Sequence, residues 1–490
     1  MHSELLCGID VGTSAVKCIV TDPVGAVYAR ASVAYPPRPE GALEQDPRLW
    51  WQAVCQATRE CLRTIDPSHL AAVSFSGHMS APVLLDKGGN VLRPAILIAD
   101  TRSDAETAWL EETYGGRIRS LCFNRPLNAF LAPKLLWCRR HEPECFAKAA
   151  SVLFPKDYIR FRMCGGIATD RTDAGNSLLF DPVKNVWDEA LSEQIGIPPA
   201  LLPPVLPSGK VCAAVSHSAA SETGLPEGLP IVTGAADMAC SQLGTGAFEP
   251  GVAALTLSTS IQIVEPAPHP VGALSASMTW HPSAFENGMY VMASVFAGGL
   301  SLDWILQLLS AGAPLTPRDY ADWNSRLIAR RKAHPQRKAL FLPFLTGSGS
   351  PRFNPAERGA FLELSASVTA EDLVLAVLEG VALHARENVD LLTRYLPAAR
   401  FHLAGGGCRM TVWPQIFADV LGRELTLLEN PDVSALGAAM LAARGAGFTD
   451  SVRNAVVRTV VPAEGAHYQA LYDAYLDRAA AARRNSEHIV

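Results

Sequence analysis

The chain has 490 residues, 49% of them hydrophobic and 18% charged, with a formal net charge of −6. That is the composition of a globular protein of two or three domains, with no basic footprint for nucleic acid and no apolar run near the ~20 residues that span a bilayer. Eleven cysteines without a C-x-x-C pair, and twelve histidines without H-x-x-x-H or H-x-H spacing, argue against a disulfide framework or a zinc site. Any metal is expected to be a hard cation held by carboxylate, water and phosphate. Met1-His-Ser-Glu4 leads directly into a strand without the basic and apolar regions of a signal peptide, so the expected location is the cytoplasm.

Leu5-Leu-Cys-Gly-Ile-Asp10 reads as a buried strand, Val11-Gly-Thr-Ser14 as a tight turn, and Ala15-Val-Lys-Cys-Ile-Val20 as the return strand. Asp22-Pro-Val-Gly25 is a turn, and a third strand is expected over 26–35. Gly12 permits backbone angles that let N–H groups converge on a phosphate. The hydroxyls of Thr13 and Ser14 add donors, Lys17 adds positive charge, and Asp10 is placed to hold the water shell of Mg²⁺. The alternative is a simple hairpin whose Asp10 caps the turn.

Asp46-Pro47 starts a helix, with Asp46 at the N-cap and Pro47 at the first helical position. Trp50, Val54, Ala57, Cys61 and Ile65 recur at helical spacing and form its core face. A strand over 70–76 runs into Gly77-His-Met-Ser-Ala81, a strand-end loop of the kind that meets ligands in α/β sheets. His78 taken alone reads as structural. Short strands are expected over 83–86 and 95–100. Asp100 and Arg102 follow in a polar loop, either as a surface pair or as fixed polar groups for sugar hydroxyls.

The segment 103–164 is expected to be mostly helical, interrupted by Pro126, Pro133, Pro143 and Pro155. The stretch 168–175 reads as a polar loop carrying Asp170 and Asp173, and 198–230 as a surface connection rich in Pro, Gly and Ser. Leu229-Pro-Ile-Val-Thr233 is a buried strand that ends in Gly234-Ala-Ala-Asp-Met238. Small residues there let a ligand approach the backbone, with the lone carboxylate Asp237 among them. Read alone, Asp237 is equally an acid in a strand-end turn. Gly244, Gly246 and Gly251 suggest a hinge.

The second half repeats the plan. Ala254-Leu-Thr-Leu-Ser-Thr-Ser-Ile-Gln-Ile-Val264 has the strand–turn–strand shape of 6–16. Phe341-Leu-Pro-Phe-Leu345 is a strand before Gly347-Ser-Gly-Ser-Pro351. A long amphipathic helix over 369–392 is capped by Thr369. Phe401-His-Leu-Ala404 runs into Gly405-Gly-Gly407, which sets bare backbone against a ligand or supplies positive φ. A helix over 411–421 ends at Gly422. Small residues at Ser434-Ala-Leu-Gly-Ala-Ala439 suit close packing beside a nucleotide or another helix.

Taken in order, these segments resemble the FGGY carbohydrate kinases, and among them the xylulokinases most closely. The resemblance runs through Gly8-Ile-Asp-Val-Gly-Thr-Ser14, Glu44-Gln-Asp-Pro47 with Trp50-Trp51, and Val91-Leu-Arg-Pro-Ala-Ile96. It continues through Ala132-Pro-Lys-Leu-Leu-Trp137, Pro155-Lys-Asp-Tyr158, Gly234-Ala-Ala-Asp237, Leu378-Glu-Gly-Val381, Ala404-Gly-Gly-Gly407 and Ala435-Leu-Gly-Ala-Ala439.

The resemblance implies an α/β fold of two actin-like (ribonuclease H-like) domains with an active-site cleft between them. It implies a sugar-binding domain over 1–245, holding the first phosphate loop and the catalytic acid, and an ATP-binding domain over 246–490. By resemblance Asp237 accepts the proton of the attacking hydroxyl, and Asp10 lies near Mg²⁺ and the phosphates, meeting the cation through water. Gly12, Thr13 and Ser14, with Lys17, form one phosphate loop, and Ser258, Thr259 and Ser260 the other. Gly405, Gly406 and Gly407 lie under the adenosine. His78, Met79, Ser80, Asp100, Arg102, Asp237 and Met238 face the sugar. The partner is a small sugar or polyol, with neither nucleic acid nor membrane involved. The oligomeric state is open, a homodimer being one expectation.

The departures from the xylulokinase pattern cluster on the substrate side. Gly77-His-Met-Ser80 stands where Gly-Gln-Met-His is usual, Ile98-Ala-Asp100 where Trp-Asn-Asp is usual, and Met238 where Asn is usual. On the nucleotide side, Ser258 replaces a usual Gly, and Gly347-Ser-Gly-Ser-Pro351 replaces a Gly-Glu-Arg-Thr-Pro pattern. Lost polar groups change which hydroxyls a site accepts. The expectation is therefore a sugar kinase before it is a D-xylulose kinase, with a ketopentose as the leading substrate. The alternatives are a kinase for ribulose, a tetritol, gluconate or a signalling sugar, a non-catalytic sugar- or ATP-binding regulator, and an actin- or chaperone-like ATPase.

Overall fold

The computed structural model describes residues 4–37, 43–285, 288–333, 339–448, 452–463 and 465–486, so the first three residues read above lie outside it. The strands of its two large sheets are β1 Leu5–Val11, β2 Ala15–Thr21, β3 Val27–Ala34, β4 Leu70–Gly77, β5 Val211–Ala214, β6 Pro230–Val232 and β7 Ala235–Ala236. The second sheet contains β8 Val252–Leu257, β9 Ile261–Ala267, β10 Thr279–Pro282, β11 Met289–Val295, β12 Arg400–Ala404, β13 Leu425–Leu428 and β14 Val456–Val460.

The first sheet runs β5-β6-β4-β1-β2-β3, with β7 also paired to β4; the second runs β10-β11-β9-β8-β12-β13-β14. The pairing of the central strands repeats, while β7 and β10 have no counterpart in the other sheet. β1 is antiparallel to β2 and parallel to β4, as β8 is antiparallel to β9 and parallel to β12. The two halves therefore share one topology, as the duplicated strand–turn–strand pattern implied. β1 is buried on both faces, which is why it reads as a continuous apolar run, whereas β3 alternates as an edge strand with one wet face.

Helices cover the sheets largely where the sequence placed them, although Pro133 lies within the first turn of the helix Leu131–His141, and Pro143 and Pro155 start helices and do not interrupt one. Asp46 caps the helix Pro47–Cys61 by accepting from Arg48 N, and Trp50, Val54, Ala57 and Cys61 are buried. Thr369 and Asp372 form a capping box at the start of the helix Ala370–Thr393. No helix among the described residues is long and apolar enough to cross a membrane.

The halves do not meet at a simple seam. The helix Val433–Gly445 lies across β1, β4 and the helix Asp237–Gly244 of the first half. A Cβ on Gly8 would sit 2.2 Å from Ala435 O, and one on Gly437 would sit 1.9 Å from Cys240 O. Only glycine permits that approach. The small residues read as suiting a nucleotide or a helix are therefore used on a helix. A shared core containing Leu6, Ala72, Ala239, Val252, Ala254, Tyr290, Ala435 and Ala439 binds the halves together.

Two expectations need correction. The polar loop at 168–175 is buried: Thr169–Asp170 forms a short strand and Arg171–Ala174 a helical turn. Its acids face a fully buried lysine, with Lys156 Nζ 3.0 Å from Asp170 and 3.1 Å from Asp173. Charges paired in this way can leave water. The connection at 198–230 is partly structural, since β5 closes one edge of the first sheet and the helix His217–Thr223 follows it. The strand is the short run Val211-Cys-Ala-Ala214, which its Pro-, Gly- and Ser-rich surroundings disguised.

Candidate active site

Three parallel strand ends converge in the first half. Asp10 on β1 lies opposite Ser76 on β4, and Ser76 lies opposite Ala235 on β7. The carboxyl ends of parallel strands are where open α/β sheets meet ligands. Here they present Asp10, the Gly77–Ser80 loop and Asp237. Ser76 Oγ donates to Asp10 Oδ1 at 2.7 Å. Burial raises the Asp10 carboxyl above its ordinary range, while the Ser76 hydroxyl and the Lys17 charge oppose that rise.

Asp237 opens the helix Asp237–Gly244. Its Oδ1 is buried and has no hydrogen-bond partner among the described residues. Burial, with the Asp10 charge nearby, pushes its carboxyl up to about 7 despite a backbone N–H from Met238. A buried carboxylate poised near neutrality, with one oxygen lacking a donor, suits a proton acceptor. Ser434 Oγ donates to Asp237 O at 3.2 Å, so the second half reaches this point.

The residues present fit a hard cation beside Asp10. Two neighbouring carboxyls, both raised by burial, are relieved by positive charge. The adjacent turn is tight, with Gly12 N–H donating to Ala15 O at 3.0 Å, Thr13 half-buried and Ser14 exposed. Lys17 is not directed only at that turn, because its ammonium lies 2.8 Å from Asp432 of the second half.

At the matching end of the second sheet, Thr256 on β8 pairs with Ala404 on β12, which sets the 258–260 turn beside Gly405–Gly407. Gly405 has φ 101° and a Cβ there would meet Leu257 O at 2.4 Å, so glycine is required by conformation and by space. Nothing lies within 4 Å of a Cβ built on Gly406, whose face is open, while Gly407 packs beside Leu257 and Trp413. Ser258 Oγ turns back to Ser260 O at 2.7 Å, and Ser260 Oγ accepts from Gln262 at 3.1 Å. Thr259 is exposed.

The substrate-side residues divide. His78 Nδ1 lies 3.0 Å from Val11 O, so it carries the proton, and the ring packs edge-on against Trp50. Met79 is buried in the shared core, and Met238, half-buried, packs against that core. Ser80 has φ 63°; its hydroxyl donates to Asn176 O at 3.3 Å and its carbonyl accepts from Lys134 Nζ at 2.9 Å. Burial lowers the Lys134 ammonium to about 7, against the pull of Asp100. Arg102 is committed by two bonds of 2.9 Å to Asp100 and another to Glu44, and its guanidinium lies 4.9 Å from the Trp137 ring centre. Asp100 and Arg102 are thus a braced pair, with their polarity turned largely on each other.

The FGGY carbohydrate kinase N-terminal domain matches residues 5–244 and the C-terminal domain matches 253–446. The xylulose kinase of Bacillus subtilis (strain 168) is 31% identical over 487 residues, covering 96% of each chain. The chain belongs to the FGGY family of carbohydrate kinases. The xylulose kinase of Escherichia coli (strain K12) is 32% identical over 440 residues, covering 89% of each. The solved xylulose kinase from Rhodospirillum rubrum superposes with TM-score 0.86 at 29% identity, covering 99% of this chain and 100% of that one. A gluconate kinase from Lactobacillus acidophilus, at 24% identity and TM-score 0.86 over 98% of both chains, shares the fold. The fold is the two-domain actin-like arrangement of these sugar kinases.

Sequence reasoning passed over several residues at these two strand ends. Ser76 is a hydroxyl at a strand end, one residue before the singled-out loop. Gly298 precedes and Gly299 opens the helix Gly299–Leu309 that follows β11. Gly299 N–H donates to Ser258 O at 2.8 Å and Leu300 N–H to Thr259 O at 3.0 Å, which holds the second turn in place. The signal was a glycine pair between strand and helix, the same signal read at Gly405.

Proposed function

We propose that this FGGY kinase transfers the γ-phosphoryl group of ATP to a hydroxyl of a small ketose, a pentulose of the xylulose type first, with Asp237 as the proton acceptor. The buried and unpartnered Asp237 Oδ1 carries this reading. The sugar oxygen forms a bond to the γ-phosphorus as the bond to the β–γ bridging oxygen breaks. The electron pair leaves with ADP, and the hydroxyl proton passes to Asp237. Phosphoryl transfer needs little beyond in-line placement, charge neutralisation and one proton acceptor. Mg²⁺, when bound beside Asp10, supplies the charge neutralisation.

In this reading the first half, to residue 245, holds the sugar through His78, Met79, Ser80, Asp100, Arg102 and Met238. The second half, from residue 246, holds the nucleotide through Ser258–Ser260 and Gly405–Gly407, while Gly12–Ser14 and Lys17 face the phosphates from the first. Use of ATP supports a cytoplasmic reaction. The names of the relatives favour a pentulose over the other sugars weighed above.

The test is ADP release and product mass, measured with Mg-ATP and a panel of pentuloses, hexuloses, tetritols and aldonates, and again without sugar. The expected result is ADP release that depends on sugar and matches a singly phosphorylated product. Turnover independent of sugar would point to an ATPase, and binding without turnover to a regulator.

A further inference from the structure

The peptide that leads into Asp237 is held by a side chain 64 residues away. Ala236 N–H donates to Thr172 Oγ1 at 2.8 Å. Thr172 Oγ1 in turn donates to Asp170 Oδ2 at 2.7 Å. The direction of that second bond is forced by what surrounds Asp170. Its carboxylate receives Thr172 N at 3.0 Å, Asp173 N at 3.3 Å and Ser208 Oγ at 2.6 Å. Lys156 Nζ approaches it at 3.0 Å. Burial alone would raise this carboxyl; the Lys156 charge, then the Ser208 and Thr172 bonds, outweigh burial and hold it below the ordinary range. Asp170 is therefore ionised and can only accept.

The single Thr172 proton is committed to Asp170, which leaves an oxygen lone pair facing the Ala236 N–H. Thr172, Asp170, Ser208 and Lys156 are all buried, so water has little access to exchange with these bonds. On the far side of the same residue, Ser434 Oγ holds Asp237 O. The backbone that aims the Asp237 carboxylate is thus gripped before and after, once by each half of the chain.

We propose that Thr172 is a positioning residue for phosphoryl transfer, fixing the peptide at Ala236 and with it the direction from which Asp237 meets the substrate hydroxyl. The proposal rests on the reading of Asp237 as proton acceptor. Neither the ion cluster nor the threonine touches the reacting atoms; they act through one backbone N–H. Small displacements of a reacting group are costly, on the order of 10²-fold per ångström. Thr172→Ser keeps the hydroxyl, whereas Thr172→Val keeps the shape, removes the acceptor and leaves a buried N–H without a partner.

The experiment is a double-mutant cycle with steady-state kinetics on Thr172→Val, Thr172→Ser, Asp237→Asn and the Thr172→Val/Asp237→Asn pair. Thr172→Val is expected to lower kcat roughly 10- to 100-fold with the KM for ATP within about twofold, and Thr172→Ser to stay within about threefold of wild type. In the Asp237→Asn background Thr172→Val is expected to change the residual rate by less than about twofold, because there is no longer a base to aim. An equal fold loss in both backgrounds, or a kcat within about twofold of wild type, overturns the proposal. Asp237→Asn alone decides the base reading: a near wild-type rate there removes it independently of Thr172. If Thr172→Val does not fold, Ser208→Ala takes its place, since it removes one donor to Asp170 and touches neither Thr172 nor Asp237. It is expected to lower kcat about two- to fivefold in the wild-type background only. An unchanged kcat overturns the proposal by that route.

Discussion

Lys17 Nζ lies 2.8 Å from Asp432 Oδ1, an ion pair between the first hairpin and the residue that precedes the helix Val433–Gly445. Arg30 approaches the same carboxylate at 4.0 Å. The lysine expected to face phosphate is therefore shared with an acid from the other half. With the Lys17 side chain 41% exposed, the pair contributes on the order of 0.2–1 kcal/mol. Asp432→Asn releases Lys17 toward the phosphates, and the KM for ATP is expected to fall by up to about fivefold at low ionic strength. The effect should shrink in about 0.5 M salt, where charges are screened within a few ångströms. An unchanged or higher KM at low salt would show that Lys17 does not serve the nucleotide.

The raised Asp237 carboxyl predicts the pH profile. A base works in its ionised form, so kcat/KM should fall tenfold per unit as pH drops below about 7. The same limb should appear in kcat, which reports the group in the bound complex. Asp237→Asn should lose about 10²–10⁴-fold and show neither limb. Profiles measured from pH 5 to 9 check this. A limb that survives the substitution belongs to another group.

The same burial has a cost to stability, and its sign is fixed. The Asp237 carboxyl titrates at about 7 when folded and at its ordinary 3.8 when unfolded. Between those values the folded state holds the extra proton, so the stability contributed falls as pH rises through that window. Above about 7 both states are ionised and the full penalty of a buried charge remains, at most about 4 kcal/mol for a shift of some three units. Asp237→Asn should therefore raise the Tm of the ligand-free protein, by little at pH 4 and progressively more up to pH 7.5. A Tm difference that does not change with pH would show that the carboxyl is not destabilised by burial.

Much of the fold was legible because strand–turn–strand units and caps are local. The two hairpins, the Asp46 and Thr369 caps and the Gly422 stop all rest on neighbours in sequence. The site was legible in outline, since Asp10 and the residues before Asp237 lie at the ends of apolar runs that pair through β4. What stayed hidden was set by distant partners. Gly8 is small because Ala435 lies against it, and not because a phosphate does. Asp170 and Asp173 look like a wet loop until Lys156 is placed among them. Lys17 reads as bound for phosphate alone, and its ion pair with Asp432 is not visible from its sequence neighbours. Charge in a sequence does not say which opposite charge will meet it.

The substrate-side departures give the last prediction. Ser80 stands in a left-handed conformation, with φ 63°, that histidine tolerates better than most side chains. Its carbonyl is held by Lys134, a brace that survives a change of side chain, whereas the hydroxyl's bond to Asn176 O is lost in that change. Ala99 is exposed on the turn before Asp100, where a larger polar side chain meets no packing obstacle of its own. Met238, in the first turn of the Asp237 helix, is apolar and half-buried. A pocket with fewer fixed polar groups discriminates less among sugars that differ by one hydroxyl. Ser80→His with Ala99→Asn adds two such groups, each contributing about 0.5–1.5 kcal/mol when it bonds a buried hydroxyl. The pair should raise kcat/KM for D-xylulose by roughly tenfold or more, leave the KM for ATP unchanged, and raise the rates for hexuloses and tetritols less. The measurement is kcat/KM across the sugar panel for wild type, both single variants and the pair. If the wild type already prefers D-xylulose strongly and the pair gains nothing, positions 80 and 99 do not set the choice of sugar. Discrimination would then come from the groups that both share, His78 and the braced Asp100–Arg102 pair among them.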